Sequence, residues 1–269
     1  MTKILRNVAL SLLALIWLVP VYLLVVNAMT PVAEYDGSPT WWPTGLGFVG
    51  NLQKAWTSAE LGLGFYNSLI YATASAAIAA FAAAMASFAV IVMPTRHRGL
   101  WFWVIYTGTL LPLQIFLAPL FKAYVGVDFY DTQIGMILIY AALCVPFSFF
   151  ILRNYLTTVP VEISEAAQLD GAGWFRLFWL IHMPMAKASL LAAFVFQFTW
   201  VWNDLLFGIT LSTSPNIRPV MAALAQLNGG FSSLGPPVVL SAALAVSIPT
   251  IVLFLVFQRF FVSSLKPIG

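Results

Sequence analysis

The chain has 269 residues, of which 61% are apolar and only 8% charged, and its formal net charge is +3. Because soluble domains average about 25% charged residues, this composition excludes an ordinary water-exposed globular domain and favours a chain surrounded by lipid. The small, scattered positive charge does not indicate nucleic-acid binding. The single cysteine, Cys144, and the scattered histidines predict neither a disulfide framework nor a metal site.

Six apolar runs are long enough to cross a membrane as helices, since about 20 residues span the hydrocarbon core. They cover residues 5–28, 64–93, 100–121, 133–152, 188–211 and 237–257. The first run exceeds the roughly 7–15 apolar residues of a signal peptide, and no clear cleavage site follows it. The sequence therefore predicts an all-α membrane protein with six transmembrane helices in a single domain over residues 1–269.

Basic residues predict the orientation of these helices. Nine of the 12 lysines and arginines fall in one set of loops and three in the other. The nine are Lys3, Arg6, Arg96, Arg98, Arg153, Arg176, Lys187, Arg259 and Lys266, and the three are Lys54, Lys122 and Arg218. Because cytoplasmic loops carry the excess of basic residues, both termini and the loop over residues 158–184 are predicted to be cytoplasmic.

The second apolar run is rich in small residues at a spacing of four. These are Ala72, Ala76, Ala80 and Ala84, and a neighbouring series of Ser75, Ala79, Ala83 and Ser87. Small residues at this spacing let helix backbones approach closely in lipid. The pattern predicts helix packing, with a sliding gate surface as the alternative.

The loop over residues 158–184 is predicted to form a helix, a turn and a second helix. Pro160 suits the first turn of a helix, where a missing N–H costs nothing. The pair Asp170 and Gly171 is predicted to end this helix, because glycine readily adopts the left-handed conformation of a C-terminal cap. A second, amphipathic helix follows, and Pro184 ends it or bends the chain. Such an element lies in the membrane interface or docks into a partner.

This loop resembles the EAA loop of ABC importer permeases, whose pattern is EAA, three residues, Gly, nine residues, Ile, one residue and Leu-Pro. The matching residues are Glu165, Ala166, Ala167, Gly171, Ile181 and Pro184. Met183 replaces the leucine of the pattern, which conserves volume. The segment Trp202-Asn203-Asp204 is similar to the maltose-type branch, whose members take up sugars, polyols and glycerol phosphodiesters.

The resemblance implies a larger assembly in a bacterial or archaeal cytoplasmic membrane. Two permease subunits, commonly different chains, would pair above two cytoplasmic ATPase subunits, and an extracytoplasmic solute-binding protein would deliver the substrate. This chain has no G-x-x-x-x-G-K-[ST] loop. It is therefore expected to bind no cofactor itself, with ATP and Mg on the partner ATPase.

The resemblance also assigns roles within the loop. The residues expected to couple to the ATPase are Glu165, Ala166, Ala167, Asp170, Gly171, Ile181 and Pro184. Glu165 would pair with a basic or hydrogen-bonding group of the ATPase, and Gly171 would set the turn.

Asp204 is the one acid deep within a predicted span. An unpaired carboxylate at that depth is costly, so it must face a partner or the aqueous pathway. Both readings remain open: pairing with a neighbouring helix or subunit, or contact with substrate. Beside it, Asn203 could hydrogen-bond to a sugar and Trp202 could stack on one. Weaker candidates for the same cavity, with interhelical hydrogen bonding as the alternative, are Gln114, Gln197 and Asn67.

Two other functions compete with the ABC importer permease. An ion-coupled secondary transporter is expected to hold several intramembrane charges, whereas this chain offers essentially Asp204. An intramembrane enzyme needs paired catalytic side chains at membrane depth, and the sequence indicates none. Copurification with an ATPase distinguishes the permease from both alternatives.

Overall fold

A computed structural model of the chain describes residues 3–227 and 234–264. Every regular element in these ranges is helical. This follows from the composition, because a backbone in lipid must satisfy its own hydrogen bonds. Lys266, which the charge count assigned to the cytoplasmic side, lies outside the described residues, as does the side chain of Arg259.

The helices in these ranges are α1 (Lys3–Met29), α2 (Phe48–Ser58), α3 (Leu61–Ile91), α4 (Arg98–Thr107), α5 (Leu117–Gly126), α6 (Gln133–Leu156), α7 (Val161–Leu169), α8 (Trp174–Met185), α9 (Lys187–Trp202), α10 (Leu206–Leu211), α11 (Val220–Gln226) and α12 (Pro236–Ser264). By length and composition, four of them, α1, α3, α6 and α12, could cross a membrane. Helices α8 and α9 together form a fifth candidate that is bent by 72°.

The apolar run over residues 100–121 is divided rather than continuous. Helix α4 ends at Thr107, a 3₁₀ turn occupies Leu113–Phe116, and α5 follows. Pro112 explains the break, because it lacks an N–H and disfavours helical geometry in the residue before it. A Cβ atom on Gly108 would lie 2.7 Å from Cγ of Pro146 in α6, so close packing at the end of α4 requires a glycine.

The run over residues 188–211 is divided as well. Helix α9 ends at Trp202, and the short helix α10 begins at Leu206. The polar residues Asn203 and Asp204 lie in the break between the two helices. The hydrogen bonds of Asp204 within this break are described below. Each of these two apolar runs therefore contains a non-helical segment, although the sequence predicted one continuous helix for each run.

Internal contacts divide the chain into two compact units. The first comprises Met1–Phe65 and Val220–Pro249, and the second comprises Tyr66–Pro219 and Thr250–Gly269. The second unit contains the predicted loop and the break between α9 and α10.

In the first unit, polar side chains collect the free carbonyl groups at the end of α1. The Nδ2 of Asn51 donates to the carbonyl oxygens of Ala28 at 3.1 Å and Thr30 at 2.8 Å. Ser241 also donates to the carbonyl of Ala28, at 2.9 Å. Satisfying these terminal carbonyls in a buried position stabilises the end of the helix.

In the second unit, the small residues of α3 pack against α6. The hydroxyl of Ser75 donates to the carbonyl of Ile137 at 3.0 Å, and the hydroxyl of Ser87 donates to the carbonyl of Phe149 at 3.3 Å. Both members of the pair advance by 12 residues, so α3 and α6 run in the same direction. The buried alanines of the stripe, with the serines, give the two backbones this close approach.

Helix α9 also packs on α6 but runs in the opposite direction. Ring contacts join Phe147 to Phe196 and Tyr140 to Trp200, with centroid distances of 6.0 and 6.2 Å. As residue numbers fall along α6, their partners in α9 rise. Between these contacts, the buried Gln197 donates to the carbonyl of Cys144 at 2.9 Å.

Candidate functional site

The first candidate site is the helix–turn–helix formed by α7 and α8, and its turn is built around Gly171. The N–H of Gly171 donates to the carbonyl of Gln168 at 3.0 Å, and the N–H of Ala172 donates to the carbonyl of Ala167 at 2.9 Å. This pair of bonds is the Schellman pattern of a helix C-terminus. Gly171 has a φ of +83°, which L side chains rarely adopt.

The acidic face of α7 points into solvent. Glu162, Glu165 and Ala166 are exposed, whereas Ala167 is half-buried. Asp170, directly before the turn, is exposed as well. The structure therefore leaves the carboxylate of Glu165 available for a group outside the chain.

Helix α8 is anchored by its apolar side. It contains a π-helical turn over Leu177–His182, a rare geometry that places side chains out of the usual helical register. Phe178 stacks edge-on against Phe88 of α3, with ring centroids 5.3 Å apart. Ile181 packs against the same buried cluster, which includes residues of α3 and α6.

Ser164 and His182 join the two helices of the loop. The Oγ of Ser164 lies 3.0 Å from Nε2 of His182, and both side chains are buried. The His182 ring also meets Phe88 edge-on, with centroids 5.2 Å apart. Sequence reasoning treated His182 only as a poor metal ligand and missed this contact. The π-helical turn that directs the ring toward α7 left no signal in the sequence.

The loop ends in a sharp bend toward α9. Pro184 is exposed in the last turn of α8, and the chain turns by 72° before α9 begins at Lys187. The hydroxyl of Tyr155, at the end of α6, donates to the carbonyl of Met185 at 2.7 Å. This bond ties the bend to the preceding membrane helix.

The second candidate site is the break between α9 and α10, where Asp204 acts as a helix cap. Its Oδ2 accepts hydrogen bonds from the N–H of Phe207 at 3.0 Å and of Gly208 at 3.1 Å. The same oxygen accepts a bond at 2.9 Å from the hydroxyl of Tyr140 in α6. The bond from Tyr140 pairs Asp204 with a neighbouring helix, and Asp204 also lines the cavity described next, so both readings of the sequence stay open. The capping carboxylate also satisfies N–H groups that the helix leaves free.

A cavity of about 790 Å³ opens beside this break. Asn203 is exposed, and its Nδ2 donates to the carbonyl of Thr199 at 2.7 Å. The lining residues are Val195, Phe196, Thr199, Trp200, Asn203, Asp204, Leu205, Leu206, Thr250, Leu253 and Phe254. The wall is thus largely apolar and aromatic with a few polar groups, as in many small-molecule sites.

Trp202 is not part of this wall. It is 1% exposed and stacks on Phe198, with ring centroids 5.9 Å apart. Trp200, two residues earlier, lines the cavity instead. Trp200 rather than Trp202 lines the cavity because residues two apart lie on different faces of a helix.

The weaker candidates lie elsewhere. The buried Asn67 donates to the carbonyl of Arg218 at 3.1 Å, and Gln197 makes the α6 contact described above. Asn67 and Gln197 therefore make hydrogen bonds within the chain, as the alternative to a role in the cavity expected. Gln197 also lines a separate cavity of about 300 Å³. Gln114 is exposed in the 3₁₀ turn after α4.

Comparisons with known proteins show which family this chain resembles. Residues 77–266 match the family model described as binding-protein-dependent transport system inner membrane component. An osmoprotective compounds uptake permease of Synechocystis is 29% identical over 264 residues, which cover 95% of this chain and 88% of the relative. A diacetylchitobiose uptake system permease of Streptomyces coelicolor is 30% identical, with 93% and 83% covered.

Two further likenesses agree with these. An alpha-glucoside transport system permease of Rhizobium meliloti is 33% identical over 80% of this chain and 58% of the relative. A chain of a bacterial ABC transporter involved in the import of the acidic polysaccharide alginate has the same fold. Its TM-score is 0.80 at 19% identity, with 96% of this chain and 95% of that chain covered.

These findings agree with the resemblance found in the loop. Members of the family form the multi-pass inner-membrane part of ABC importers, and a partner subunit hydrolyses the ATP. The chain therefore belongs to the family of binding-protein-dependent transport system inner membrane components, the permease subunits of ABC importers.

Proposed function

We propose that this chain forms half of a translocation pathway for a carbohydrate or a related solute that an extracytoplasmic binding protein delivers. The class includes sugars, oligosaccharides, polyols and glycerol phosphodiesters. The observation that carries the substrate class is the cavity beside Asn203. The aromatic residues Phe196 and Trp200 and the polar residues Thr199 and Asn203 line this cavity. Sugars combine an apolar ring face with hydroxyl edges, and this wall complements both.

Relatives support the same class of solute. Those named above are uptake permeases for osmoprotective compounds, diacetylchitobiose and alpha-glucosides. Others are named as sn-glycerol-3-phosphate transport system permeases, from Yersinia species. The choice of one solute within this class rests on the cavity, on the second permease subunit and on the binding protein.

Replacing Asn203 tests this role. An Asn203→Leu variant should assemble normally, because Asn203 is exposed and its side chain bonds to a carbonyl in the last turn of the preceding helix, α9. Binding-protein-dependent uptake should fall about five- to ten-fold, the effect of losing one hydrogen bond to a bound ligand, while basal ATP hydrolysis persists. Thr210→Val, on α10 and away from the cavity, serves as the control. Unchanged uptake in Asn203→Leu would reject a pathway role for this residue.

The proposed topology has six membrane crossings with both termini in the cytoplasm. The basic residues favour it by nine to three. The parallel course of α3 and α6 supports it too, because the chain between two parallel spans must cross the membrane an odd number of times. The divided segment of α4 and α5 then supplies the crossing between them. The antiparallel course of α6 and α9 agrees with one turn on the cytoplasmic side, through α7 and α8.

Cysteine labelling tests this topology in a Cys144→Ala background. Leu169, at the tip of α7, is 89% exposed, and Ser58 at the end of α2 is also exposed. An impermeant thiol reagent should label Ser58→Cys but not Leu169→Cys in spheroplasts, and should label Leu169→Cys after permeabilisation. Labelling of Leu169→Cys in intact spheroplasts would reverse the orientation.

The proposed role of α7 and α8 is to couple the permease to its ATPase partner. The exposed carboxylate of Glu165 would meet a basic or hydrogen-bonding group in a cleft of the ATPase, which binds ATP and Mg. The buried side of α8 is packed on α3 and α6. Motion of the ATPase would therefore be transmitted to α3 and α6 through α8, which is packed against them.

Charge reversal at two positions of α7 tests this role. Glu165→Lys should lose the copurifying ATPase or its stimulation by the loaded binding protein. Glu162→Lys, one helical turn earlier and also exposed, is the matched control and should retain both. Equal behaviour of the two variants would show that Glu165 has no specific partner. A second permease subunit and the binding protein should copurify with the wild-type complex.

A further inference from the structure

Two arginines near the start of α4 form a recess of about 210 Å³ without a carboxylate in its lining. Arg98 begins α4 and Arg153 lies near the end of α6, and both border the recess. Within the described parts of the chain, both guanidinium groups contact neutral partners. Arg98 donates to the carbonyl of Met93 at 2.7 Å, and Arg153 donates to Oδ1 of Asn154 at 3.3 Å.

Arg153 is held in place yet incompletely satisfied. Its guanidinium carbon lies 4.9 Å from the centroid of the Phe102 ring, an attractive cation–π geometry. Its Nε is buried and has no hydrogen-bond partner among the described residues. A buried donor on a charged group without a partner carries a desolvation cost. An anion in the recess would lie beside both guanidinium groups and offset part of their positive charge.

The surroundings favour an anion that carries an apolar tail. Besides the arginines, the recess is lined by Val90, Ile91, Gly99 and Phe102. Trp101 and Trp103 of α4 are also 53% and 59% exposed. Exposed tryptophans are enriched where a membrane helix meets the lipid headgroups. A free phosphate would gain nothing from this apolar surface, whereas a phospholipid would cover it with its acyl chains.

We propose that Arg98 and Arg153 bind the phosphate group of an anionic phospholipid in the cytoplasmic leaflet. The assignment of this site to the cytoplasmic leaflet rests on the topology proposed above, whereas the recess itself does not. An adjacent cavity of about 340 Å³ shares Ile91 and Arg98 with the recess and is lined by Ser164 and His182. The bound headgroup therefore lies next to the contact that joins α7 to α8, where it can influence coupling.

Native mass spectrometry of the purified importer in detergent supplemented with phosphatidylglycerol tests the site. Wild type should retain phosphatidylglycerol in preference to phosphatidylcholine. Retention should fall about five-fold in Arg98→Gln or Arg153→Gln, and about 25-fold in the double variant, as expected for the loss of basic residues near an anionic headgroup. Arg153→Lys keeps the charge but lacks the planar guanidinium, so it should be intermediate. Arg176→Gln, an exposed arginine of α8, is the matched control and should retain lipid as wild type does.

Several results would overturn the proposal. Equal lipid retention in wild type and the double variant would reject the site. Displacement of the lipid by inorganic phosphate alone would identify a free-anion site instead. Loss of the ATPase from the double variant without any change in lipid retention would identify a protein contact. The lipid measurement does not depend on sidedness, so labelling at Leu169 tests the topology separately.

Discussion

The Oγ of Ser164 in α7 and Nε2 of His182 in α8 lie 3.0 Å apart in a buried position, and this contact joins the two helices of the loop over residues 158–184. The other ring nitrogen of His182, Nδ1, is buried without a hydrogen-bond partner among the described residues. Ser164 is therefore the side chain that offsets part of the cost of burying this imidazole.

The Ser164 contact predicts a specific pattern of stability. Ser164→Ala leaves both ring nitrogens of His182 unsatisfied and should destabilise the loop by about 1–3 kcal/mol. Combining it with His182→Phe replaces both polar groups by apolar ones and should recover most of the loss. Thermal unfolding of the purified complex, together with substrate transported per ATP hydrolysed, measures the effect. Strictly additive losses in the double variant would show that the two side chains act independently.

Gly171 predicts a purely conformational effect. Its φ is +83°, and a Cβ atom there would meet nothing within 4 Å. Gly171→Val should therefore suffer from backbone strain alone, about 1–2 kcal/mol or more for a β-branched residue. Gly171→Asn should be tolerated, because asparagine accepts left-handed geometry. Stimulation of ATP hydrolysis by the loaded binding protein is the readout. Equal activity of the two variants would show that the turn tolerates another conformation.

Asp204 predicts a difference between charge and hydrogen bonding. Asp204→Asn keeps an oxygen that can accept from Phe207, Gly208 and Tyr140, so assembly and uptake should largely survive. Asp204→Leu removes the cap of α10 and should lower complex yield, with an expected cost of about 0.5–2 kcal/mol for the cap alone.

Tyr140→Phe is the matched variant for that experiment, because it removes the hydrogen bond from α6 to Asp204 and leaves the bonds from the backbone of α10 intact. It should lower stability less than Asp204→Leu does. Normal assembly of Asp204→Leu with impaired uptake would instead make Asp204 a pathway residue.

Asp131 predicts a pH dependence in the loop after α10. Its carboxylate accepts hydrogen bonds from the N–H of Thr213 at 2.8 Å and from the N–H and hydroxyl of Ser214 at 3.1 and 2.5 Å. Partial burial opposes ionisation, but these hydrogen bonds outweigh it and hold the pKa of Asp131 below its usual value of 3.8. A lowered pKa stabilises the folded state above the unfolded value, and that stabilisation is lost as the pH falls through the folded value.

Hydrogen exchange of residues 212–218 measures this dependence. At pH 7, Asp131→Asn should show faster exchange than wild type after correction for intrinsic rates. The difference should begin to shrink below about pH 3.8 and should disappear once the pH falls below the lowered pKa of Asp131, where the folded wild type is protonated too. A difference that persists unchanged at lower pH would assign the effect to shape rather than to charge.

Much of this protein was predictable because the governing signals are local. Apolar length over charge-poor runs predicts helices in a membrane, since the hydrocarbon thickness sets the number of residues required. The end of α7 just before Gly171 follows from one glycine and its immediate neighbours. The family pattern from Glu165 to Pro184 lies within 20 residues, so spacing alone made it recognisable.

Tertiary contacts decided the rest. The sequence predicted that Asp204 needs a partner, but Tyr140 is 64 residues away in the chain, and only the packing of α9 on α6 brings the two together. Likewise, the contact between His182 and Ser164 forms within a π-helical turn where the His182 ring also packs against Phe88 of α3, which is distant in the chain. An apolar run in lipid shows little periodicity, because all of its faces can be hydrophobic. Which side chain faces a cavity and which faces a neighbour, as with Trp200 and Trp202, is therefore settled by the partner helices.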